Sequence, residues 1–462
     1  MNMKPMTLAQ AAAAVGGKLI GDGDAVIRAV VMDSRVDVSG ALFVAIGGAR
    51  ADGHDFVGDV LRRGAVGCLV EREVDVAGSY ILVDSTLRAV RDLAAYYRSL
   101  FDIPVVGITG SVGKTSTKEM LATVLAEKFC VHKTAGNLNN ELGVPMTLLA
   151  LREEHEAAVI EMGISDFGEM TRLTEMVRPD VAMITIIGYA HLDNLGDRTG
   201  VYRAKTEIFH GLAADGMALV NGDDDMLWPC IITDISPDKT GVTKRTYGLE
   251  ARNDFRAVGI ENRGESGTAC VFEWGDTVLP VAIPAFGRPM VYAALAAAAV
   301  GDRLGMTAAE IARGIAAFRN VAGRAAVSKT DSLTVIDDCY NANPSSVKAA
   351  LASLVELPGR RVAILGDMGE LGTDAAGLHR EIGTLAGESG VDLVIAIGEM
   401  SAHTYAGAMA ANADLLAWHF PDKAEALAVL PGVLQRGDNV LVKASRFMRF
   451  EEIVGTLREM VL

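Results

Sequence analysis

The chain has 462 residues, enough for about three domains, so a single small binding module is excluded. Half of its residues are hydrophobic and Gly and Pro are present at ordinary levels, which excludes a disordered or collagen-like chain. The formal net charge of −16 disfavours nucleic acid or an anionic membrane as the main partner. Five scattered cysteines without a metal-ligand spacing favour a reducing cytoplasm over a disulfide framework.

The first hundred residues predict a small α/β domain. A helix is expected after Thr7, its N-cap, with Gln10 at the capping-box position and Gly16 at its end. Hydrophobic patterns predict strands at 41–46, 68–71 and 80–83 and helices at 54–63 and 86–100. We expect no secretion signal, because a basic region followed by a long apolar one is missing. Pro104 marks a boundary, so the first domain is placed at 1–102.

Residues 103–325 predict a central domain built on a parallel sheet. Continuous apolar runs, typical of strands covered on both faces, lie at 105–109, 158–162, 181–186 and 217–221. Helices are predicted at 120–129 and, in an alanine-rich run, at 292–304. Between 244 and 284, short alternating runs with Gly turns predict antiparallel strands added to this domain.

Residues 326–462 predict a second doubly wound, Rossmann-like domain. Its strands are expected at 333–337, 361–365, 393–397 and 440–442, and its helices at 345–357, 378–387 and 450–460. The most apolar stretch, 291–300, is too short to span a bilayer, so membrane insertion is not expected. The predicted fold class is therefore α/β, in three domains.

A glycine-rich loop between a predicted strand and a predicted helix carries the strongest chemical signal. Glycines let backbone N–H groups surround phosphate oxygens, a lysine can reach the terminal phosphates, and the next hydroxyl can bind Mg²⁺. The strict P-loop pattern has Gly where this chain has Ile108, so the match is to a Thr-Gly-x-x-Gly-Lys-Thr variant. A glycine-rich turn without a ligand is the alternative. The loop predicts ATP or GTP binding by Thr109, Gly110, Ser111, Val112, Gly113, Lys114, Thr115 and Ser116.

Polar residues follow the next predicted strands. Glu161 ends one of them, where a Mg²⁺ ligand serving the P-loop is expected; the alternative is a solvated carboxylate. His191 follows another strand, although a lone histidine is usually structural. Lys205, on a predicted helix, has the pattern of an ordinary exposed lysine. The acidic run 221–225 favours a loop over a metal-binding turn.

Longer motifs resemble the Mur ligase family of ATP-dependent amino-acid and peptide ligases. Beyond the P-loop variant, residues 136–145 have the form Gly-Asn-x-Asn-Asn-x-x-Gly-x-Pro. Segments 337–344, 364–372 and 442–446 are most similar to the branch that adds D-alanyl-D-alanine to UDP-N-acetylmuramoyl-tripeptide. The resemblance covers nearly the whole chain and implies an N-terminal UDP-sugar-binding domain, a central ATPase domain and a C-terminal domain that binds the incoming dipeptide.

The resemblance also implies roles that residue types alone leave open. It implies two Mg²⁺ ions bound by Thr115, Glu161, His191 and Lys205, the last as a carbamylated lysine. It implies that Arg324 meets the γ-phosphate and that Asp338 and Asn343 contact the nucleotide. The catalytic set so implied is Lys114, His191, Lys205 and Arg324. The implied substrate set is Ser34, Arg35, Asn137, Asn139, Asn140 and Ser445.

One segment departs from the family pattern Gly-x-His-Asn-x-x-Asn, in which the final Asn reads adenine. This chain has Pro289 and Met290 at the His-Asn positions and Ala293 at the final Asn. The loss of one hydrogen bond to the base should weaken nucleotide affinity or discrimination by about 1 kcal/mol. The phosphate chemistry should be unaffected.

The implied function is a cytoplasmic, monomeric ligase that forms UDP-N-acetylmuramoyl-pentapeptide through an acyl phosphate. Its partners are small molecules: ATP, the UDP-tripeptide and D-alanyl-D-alanine. Because water would hydrolyse an exposed acyl phosphate, we expect the last domain to close about a hinge near 323–326. The alternatives are another ATP-dependent amino-acid ligase of this architecture and a nucleotide-binding regulatory protein that has lost ligase activity.

Overall fold

The computed structural model describes residues 3–48, 51–233, 235 and 241–462. These residues form three large sheets in succession along the chain, each covered by helices, and a short two-stranded ladder near the start. The predicted α/β fold class is confirmed. Among the described residues, no helix has the length and apolar character needed to cross a membrane.

The N-terminal sheet has four parallel strands and one antiparallel edge strand, in the order β2-β7-β6-β5-β4. The elements of this part are β1 (Met6–Thr7), α1 (Leu8–Val15), β2 (Lys18–Ile20), β3 (Val26–Ile27), β4 (Ala29–Val31), β5 (Ala41–Val44), α2 (Val57–Arg62), β6 (Gly67–Val70), β7 (Tyr80–Leu82) and α3 (Thr86–Ser99). Thr7 and Gln10 form the predicted capping box of α1, and Gly16 ends that helix with a φ of 61°.

The central sheet has the order β16-β15-β14-β13-β12-β11-β8-β10-β9. Its part of the chain comprises β8 (Val105–Thr109), α4 (Lys114–Leu125), β9 (Val131–Lys133), α5 (Gly143–Leu149), β10 (Ala157–Glu161), α6 (Glu169–Val177), β11 (Val181–Ile184), α7 (Leu192–Leu195), α8 (Arg198–Thr206), β12 (Met217–Asn221), α9 (Leu227–Thr233), β13 (Thr243–Gly248), β14 (Phe255–Asn262), β15 (Thr268–Trp274), β16 (Thr277–Ile283), α10 (Arg288–Arg303) and α11 (Ala308–Ala317). The prediction of antiparallel strands over 244–284 was wrong for β13, which pairs parallel with both β12 and β14. It was correct for the two pairs that follow, because β15 runs antiparallel to both β14 and β16.

The C-terminal sheet has the order β17-β18-β22-β19-β20-β21 and is parallel except at β17. Its elements are β17 (Ala326–Lys329), β18 (Thr334–Asp337), α12 (Pro344–Leu354), β19 (Arg361–Gly366), α13 (Ala375–Ser389), β20 (Leu393–Ile397), α14 (Ser401–Ala411), β21 (Leu416–Phe420), α15 (Lys423–Val433), β22 (Asn439–Lys443) and α16 (Glu451–Glu459). The predicted strand at 393–397 matches β20 residue for residue.

The order of the central strands brings the predicted chemical residues to one edge. β8 lies between β10 and β11, and all three strands are parallel and buried along their whole length. Because the carboxyl ends of parallel strands meet at one edge, the loop after β8 lies beside Glu161, the last residue of β10. The site is built from this edge.

Candidate active site

A cavity of about 680 Å³ lies at the edge of the central sheet, and its wall includes residues from all three parts of the chain. It brings together Ser111, Val112, Gly113, Lys114, Thr115, Ser116, Asn137, Asn139, Asn140, Glu161, His191, Arg324, Asp338 and Asn343. Six predicted site residues, all within the described ranges, lie off the cavity wall: Ser34, Arg35, Thr109, Gly110, Lys205 and Ser445.

The predicted P-loop connects β8 to α4. Gly110 and Gly113 have φ values of 147° and 85°, and a Cβ on Gly110 would clash with the Thr185 hydroxyl, so glycine is required there. The Ser111 N–H donates to the Ile186 carbonyl, and the Ser111 hydroxyl accepts from the Gly188 N–H; both bonds hold the loop against the segment that follows β11. α4 begins at Lys114, so its free N–H groups face the loop and favour phosphate.

Lys114 is folded back over this loop. Its ammonium group donates a 2.7 Å hydrogen bond to the Gly110 carbonyl. Burial lowers the pKa of Lys114, the negative charge of Glu161 opposes that change, and the positive charge of Arg324 adds to it. The three charged groups therefore act on one another around a single place in the cavity.

Glu161 is 1% exposed, and its two carboxylate oxygens have different partners. Oε1 accepts hydrogen bonds from the Thr115 hydroxyl at 3.2 Å and the Asn139 amide at 2.8 Å. Oε2 accepts none from any residue that the structure describes, and Lys118 Nζ lies 3.6 Å from it. A buried carboxylate oxygen without a donor, beside a P-loop threonine, suits a hard cation such as Mg²⁺.

The protein side chains do not complete a metal site by themselves. Within 3–48, 51–233, 235 and 241–462, no three His, Cys, Asp or Glu side chains gather as a candidate metal centre. A Mg²⁺ ion at Glu161 would therefore draw further oxygen ligands from the Thr115 hydroxyl and from nucleotide phosphates.

Lys205 lies on α8 and is 1% exposed, so the alternative of an ordinary exposed lysine was wrong. Burial lowers its pKa well below the usual range, and the positive charge of Lys114 adds to this change. Burial thus disfavours the charged form of this amine. Its sequence neighbours gave no sign of this, because the burial comes from tertiary packing.

Arg324 closes the cavity from the connection between α11 and β17. Its guanidinium lies 4.0 Å from the Tyr340 ring centroid, and one of its nitrogens is 3.4 Å from the Thr115 hydroxyl. Burial lowers its pKa, opposed by the charge of Asp338. Asp338 in turn pairs with Lys443 at 2.5 Å. We call Gly113, Lys114, Thr115, Glu161 and Arg324 the phosphate end of the cavity.

Sequence reasoning assigned no role to Tyr340 or Lys443, although both line the cavity. Each lies in a segment that carried the family resemblance, and that position was the available signal. The predicted nucleotide contact Asn343 also lines the cavity, while its side-chain oxygen caps α12 by accepting a bond from Ser346 N–H. The capping bond uses only the side-chain oxygen of Asn343, so the amide nitrogen is the atom that we expect to contact the nucleotide.

His191 lines the cavity and contacts the C-terminal part of the chain. Its Nδ1 lies 2.7 Å from the Glu370 carboxylate, a partner that sequence reasoning missed. The hydrogen bond from His191 lowers the pKa of Glu370. The local sequence does not predict this pair, because His191 follows β11 of the central sheet and Glu370 follows β19 of the C-terminal sheet.

The predicted substrate residues divide into two groups. Asn137, Asn139 and Asn140 are on the cavity wall, and Asn140 also accepts N–H bonds that begin α5. Ser445 is buried, donating to the Ala342 carbonyl and accepting from Gly369 N–H, which ties two loops together. Ser34 and Arg35 lie on the N-terminal part; Arg35 is exposed and pairs with Asp33 at 2.7 Å.

The acidic run after β12 serves the fold. Asp223 accepts hydrogen bonds from the N–H groups of Leu249 and Glu250, and Asp224 accepts them from Ile187 and two residues of its own turn. These oxygens stabilise backbone turns, which agrees with the loop interpretation.

The far end of the cavity is apolar. It is lined where α10 meets α12, a close approach at which a Cβ on Gly287 would lie 2.7 Å from the Ser353 hydroxyl. We call this the apolar end: Phe286, Pro289, Met290, Ala349, Ala350 and Ser353. Ser353, its one hydroxyl among these described residues, donates to the Ala349 carbonyl at 3.0 Å. Ala293 is buried behind this wall.

A P-loop facing a buried carboxylate, with an arginine supplied from the next sheet, defines a nucleotide-using enzyme assembled from three α/β units. Residues 108–301 match the Mur ligase middle domain and residues 323–446 the Mur ligase glutamate ligase domain. The chain belongs to the Mur ligase family, as the sequence resemblance predicted.

Full-length relatives agree with this assignment. The chain is 37% identical to the UDP-N-acetylmuramoyl-tripeptide--D-alanyl-D-alanine ligase of Escherichia coli over 99% of both proteins. It is similar to a solved MurF from Acinetobacter baumannii with a TM-score of 0.91 and 32% identity, covering 100% of each chain. MurF ligase from Thermotoga maritima, solved in complex with ADP, gives a TM-score of 0.84 at 29% identity, covering 93% of this chain and 97% of the other.

Proposed function

We propose that this protein is the ATP-dependent ligase that joins D-alanyl-D-alanine to UDP-N-acetylmuramoyl-tripeptide. The products are UDP-N-acetylmuramoyl-pentapeptide, ADP and phosphate. The observation that supports this chemistry is that Lys114, Glu161 and Arg324 line the same cavity beside the P-loop. Glu161 and Arg324 both contact the Thr115 hydroxyl there. The choice of acceptor and amine rests on the full-length relatives that bear this name.

The reaction makes an amide from a carboxylate, which is a poor electrophile until it is phosphorylated. The carboxylate oxygen attacks the γ-phosphorus of ATP and ADP leaves; the dipeptide amine then attacks the acyl carbon and phosphate leaves. Both partners of the first step are anions, so buried cations must offset their repulsion. Lys114 acts from the P-loop and Arg324 from the opposite wall. Both side chains are partly buried, so water screens their attraction for phosphate less than it would at an open surface.

Thr115, Glu161 and His191 would hold Mg²⁺, with Lys205 after carbamylation. The bound ion supplies charge neutralisation at the phosphate oxygens. The Glu161 oxygen that accepts no hydrogen bond from the described residues, and the lowered pKa of Lys205, support this set. In carbamylation the neutral amine nitrogen bonds to the carbon of CO₂ and releases one proton, giving a carboxylate-like group on a buried side chain.

We assign the parts of the chain by their places around the cavity. Residues 1–102 would bind the UDP-sugar substrate, 103–325 ATP and 326–462 the incoming dipeptide. Asn137, Asn139 and Asn140 line the same cavity as Leu87 and Arg91 of α3, and their amides suit the acceptor peptide. Ser34 and Arg35 would act on the UDP moiety and Ser445 on the dipeptide side. We expect a cytoplasmic monomer whose last part moves about 323–326.

Product analysis tests the assignment. Purified protein is incubated with ATP, Mg²⁺, D-alanyl-D-alanine and a UDP-tripeptide carrying either L-lysine or diaminopimelate, and product mass and phosphate release are followed. We expect UDP-pentapeptide, lost in Lys114→Ala. ATP turnover with a different amino acid or acceptor, and without pentapeptide, would instead identify another ligase of the same architecture.

A further inference from the structure

The contact between His191 and Glu370 joins the central and C-terminal parts at the cavity. The Nδ1 of His191 lies 2.7 Å from a Glu370 carboxylate oxygen. The next backbone N–H, that of Leu192, donates a 3.2 Å hydrogen bond to the Glu370 carbonyl. One residue of the C-terminal part thus holds both the ring of His191 and the chain that follows it.

Both residues adopt a backbone conformation that side chains disfavour. His191 has a φ of 54° and Glu370 a φ of 60°, and in the described ranges they are two of five non-glycine residues with positive φ. A third, Ala325, follows Arg324 on the same cavity. Such conformations persist where the surrounding contacts hold them, and they concentrate at functional sites.

The contact determines which ring nitrogen of His191 is free. An ionised carboxylate can only accept a hydrogen bond, so a neutral His191 must carry its proton on Nδ1. Nε2 then keeps its lone pair, the form in which imidazole binds a metal ion. The His191 side chain is 32% exposed and lines the cavity, so Nε2 is the nitrogen available to a ligand there.

We propose that Glu370 is a positioning residue that fixes the tautomer and ring orientation of His191, so that His191 is ready for Mg²⁺-nucleotide only when the C-terminal part is docked. This inference rests on the proposed function, in which His191 is a metal ligand. It assigns to Glu370 an indirect role, through His191. Mutation of a carboxylate that orients a metal-binding histidine typically lowers metal affinity or activity by about 10- to 100-fold.

The experiment compares Glu370→Ala and Glu370→Gln with Glu356→Ala. Glu356 is the matched control, because its 2.9 Å pair with Arg288 also links the central and C-terminal parts but lies off the described cavity wall. The first readout is the tautomer of His191 in protein labelled with ¹⁵N-histidine, assigned by the signal lost in His191→Ala. The second is the Mg²⁺ concentration that gives half-maximal turnover.

In the unaltered protein we expect the Nδ1–H tautomer of His191. Glu370→Ala should lose that preference and raise the required Mg²⁺ concentration about 10- to 100-fold. Glu370→Gln should restore part of both, since its amide oxygen can still accept from Nδ1–H. Glu356→Ala should change neither.

Two results would overturn the inference. If Glu370→Ala keeps both the tautomer and the Mg²⁺ requirement while His191→Ala raises that requirement, Glu370 does not position His191 and the proposed function stands. If His191→Ala leaves the Mg²⁺ requirement unchanged, His191 is not a metal ligand, and both that assignment and the role of Glu370 fail.

Discussion

The phosphate end and the apolar end of one cavity are built on different principles. The phosphate end sets buried charges on three separate segments against one another, with hydrogen bonds from Thr115 and Asn139 to Glu161. The apolar end offers Phe286, Pro289 and Met290 and few polar side chains. Phosphoryl transfer needs charge at fixed places, whereas a purine base can be held by contact area alone. We therefore expect substitutions to cost more activity at the phosphate end than at the apolar end.

Removal of the P-loop lysine should give the largest effect. We expect Lys114→Ala to lower kcat at least about 10³-fold, since a buried cation at the transferred phosphoryl group has no substitute. Steady-state phosphate release measures this loss. Lys128→Ala is the control, because that exposed lysine is not among the cavity-lining residues and donates to the Leu304 and Gly305 carbonyls just after α10. An equal loss in both variants would point to misfolding.

Replacement of Arg324 should have the next largest effect. Arg324→Ala should lower kcat about 10²- to 10³-fold and change the KM for ATP less, because its charge acts mainly on the transition state. Arg324→Lys should recover little, since lysine has no planar guanidinium group to stack on the Tyr340 ring. Full activity in Arg324→Lys would show that charge alone suffices.

The apolar end should discriminate weakly between bases. A site that hydrogen-bonds its substrate rejects an analogue by about 10⁴- to 10⁵-fold, whereas an apolar one reaches about 10²-fold at most. We expect kcat/KM for GTP within about 10²-fold of that for ATP, measured by pentapeptide formation. A GTP rate more than about 10³-fold lower would instead mean that the backbone reads the base.

The smallest effect concerns the buried lysine behind the phosphate end. The folded pKa of Lys205 lies well below its unfolded value, so between these two values the unfolded chain binds more protons. Stability should therefore rise with pH through that window in CO₂-free buffer. Lys205→Met should remove this contribution to the slope of the unfolding free energy, measured with denaturant at several pH values. The same slope in Lys205→Met and in the unaltered protein would show that Lys205 does not gain a proton on unfolding, which would contradict this prediction.

Much of the fold could be predicted because buried parallel strands leave continuous apolar runs. The predicted strands at 105–109 and 217–221 match β8 and β12 residue for residue. β21 was missed because this edge strand has Trp418 exposed and a mixed polarity pattern. β13 was predicted to be antiparallel but is parallel to both neighbours. The residues of a strand do not determine which strands it pairs with or in which direction.

Site residues could be predicted where they form one contiguous motif. Contacts between residues far apart in the sequence could not. One short motif predicted eight P-loop residues, of which the six from Ser111 to Ser116 line the cavity. The burial of Lys205, the stacking of Tyr340 on Arg324 and the contact of Glu370 with His191 all arise between distant segments. The positions of Ser34, Arg35 and Ser445 off the cavity wall likewise required the folded chain.

The stacking of Arg324 on Tyr340 has a consequence for the kinetics of nucleotide capture. A free arginine side chain carries about 2 kcal/mol of rotamer entropy, which a binding event must normally remove. Here the ring, 4.0 Å from the guanidinium carbon, restricts that motion before any nucleotide arrives. Part of this entropy is therefore lost during folding, so an incoming phosphate meets a guanidinium whose range of side-chain conformers is already narrowed.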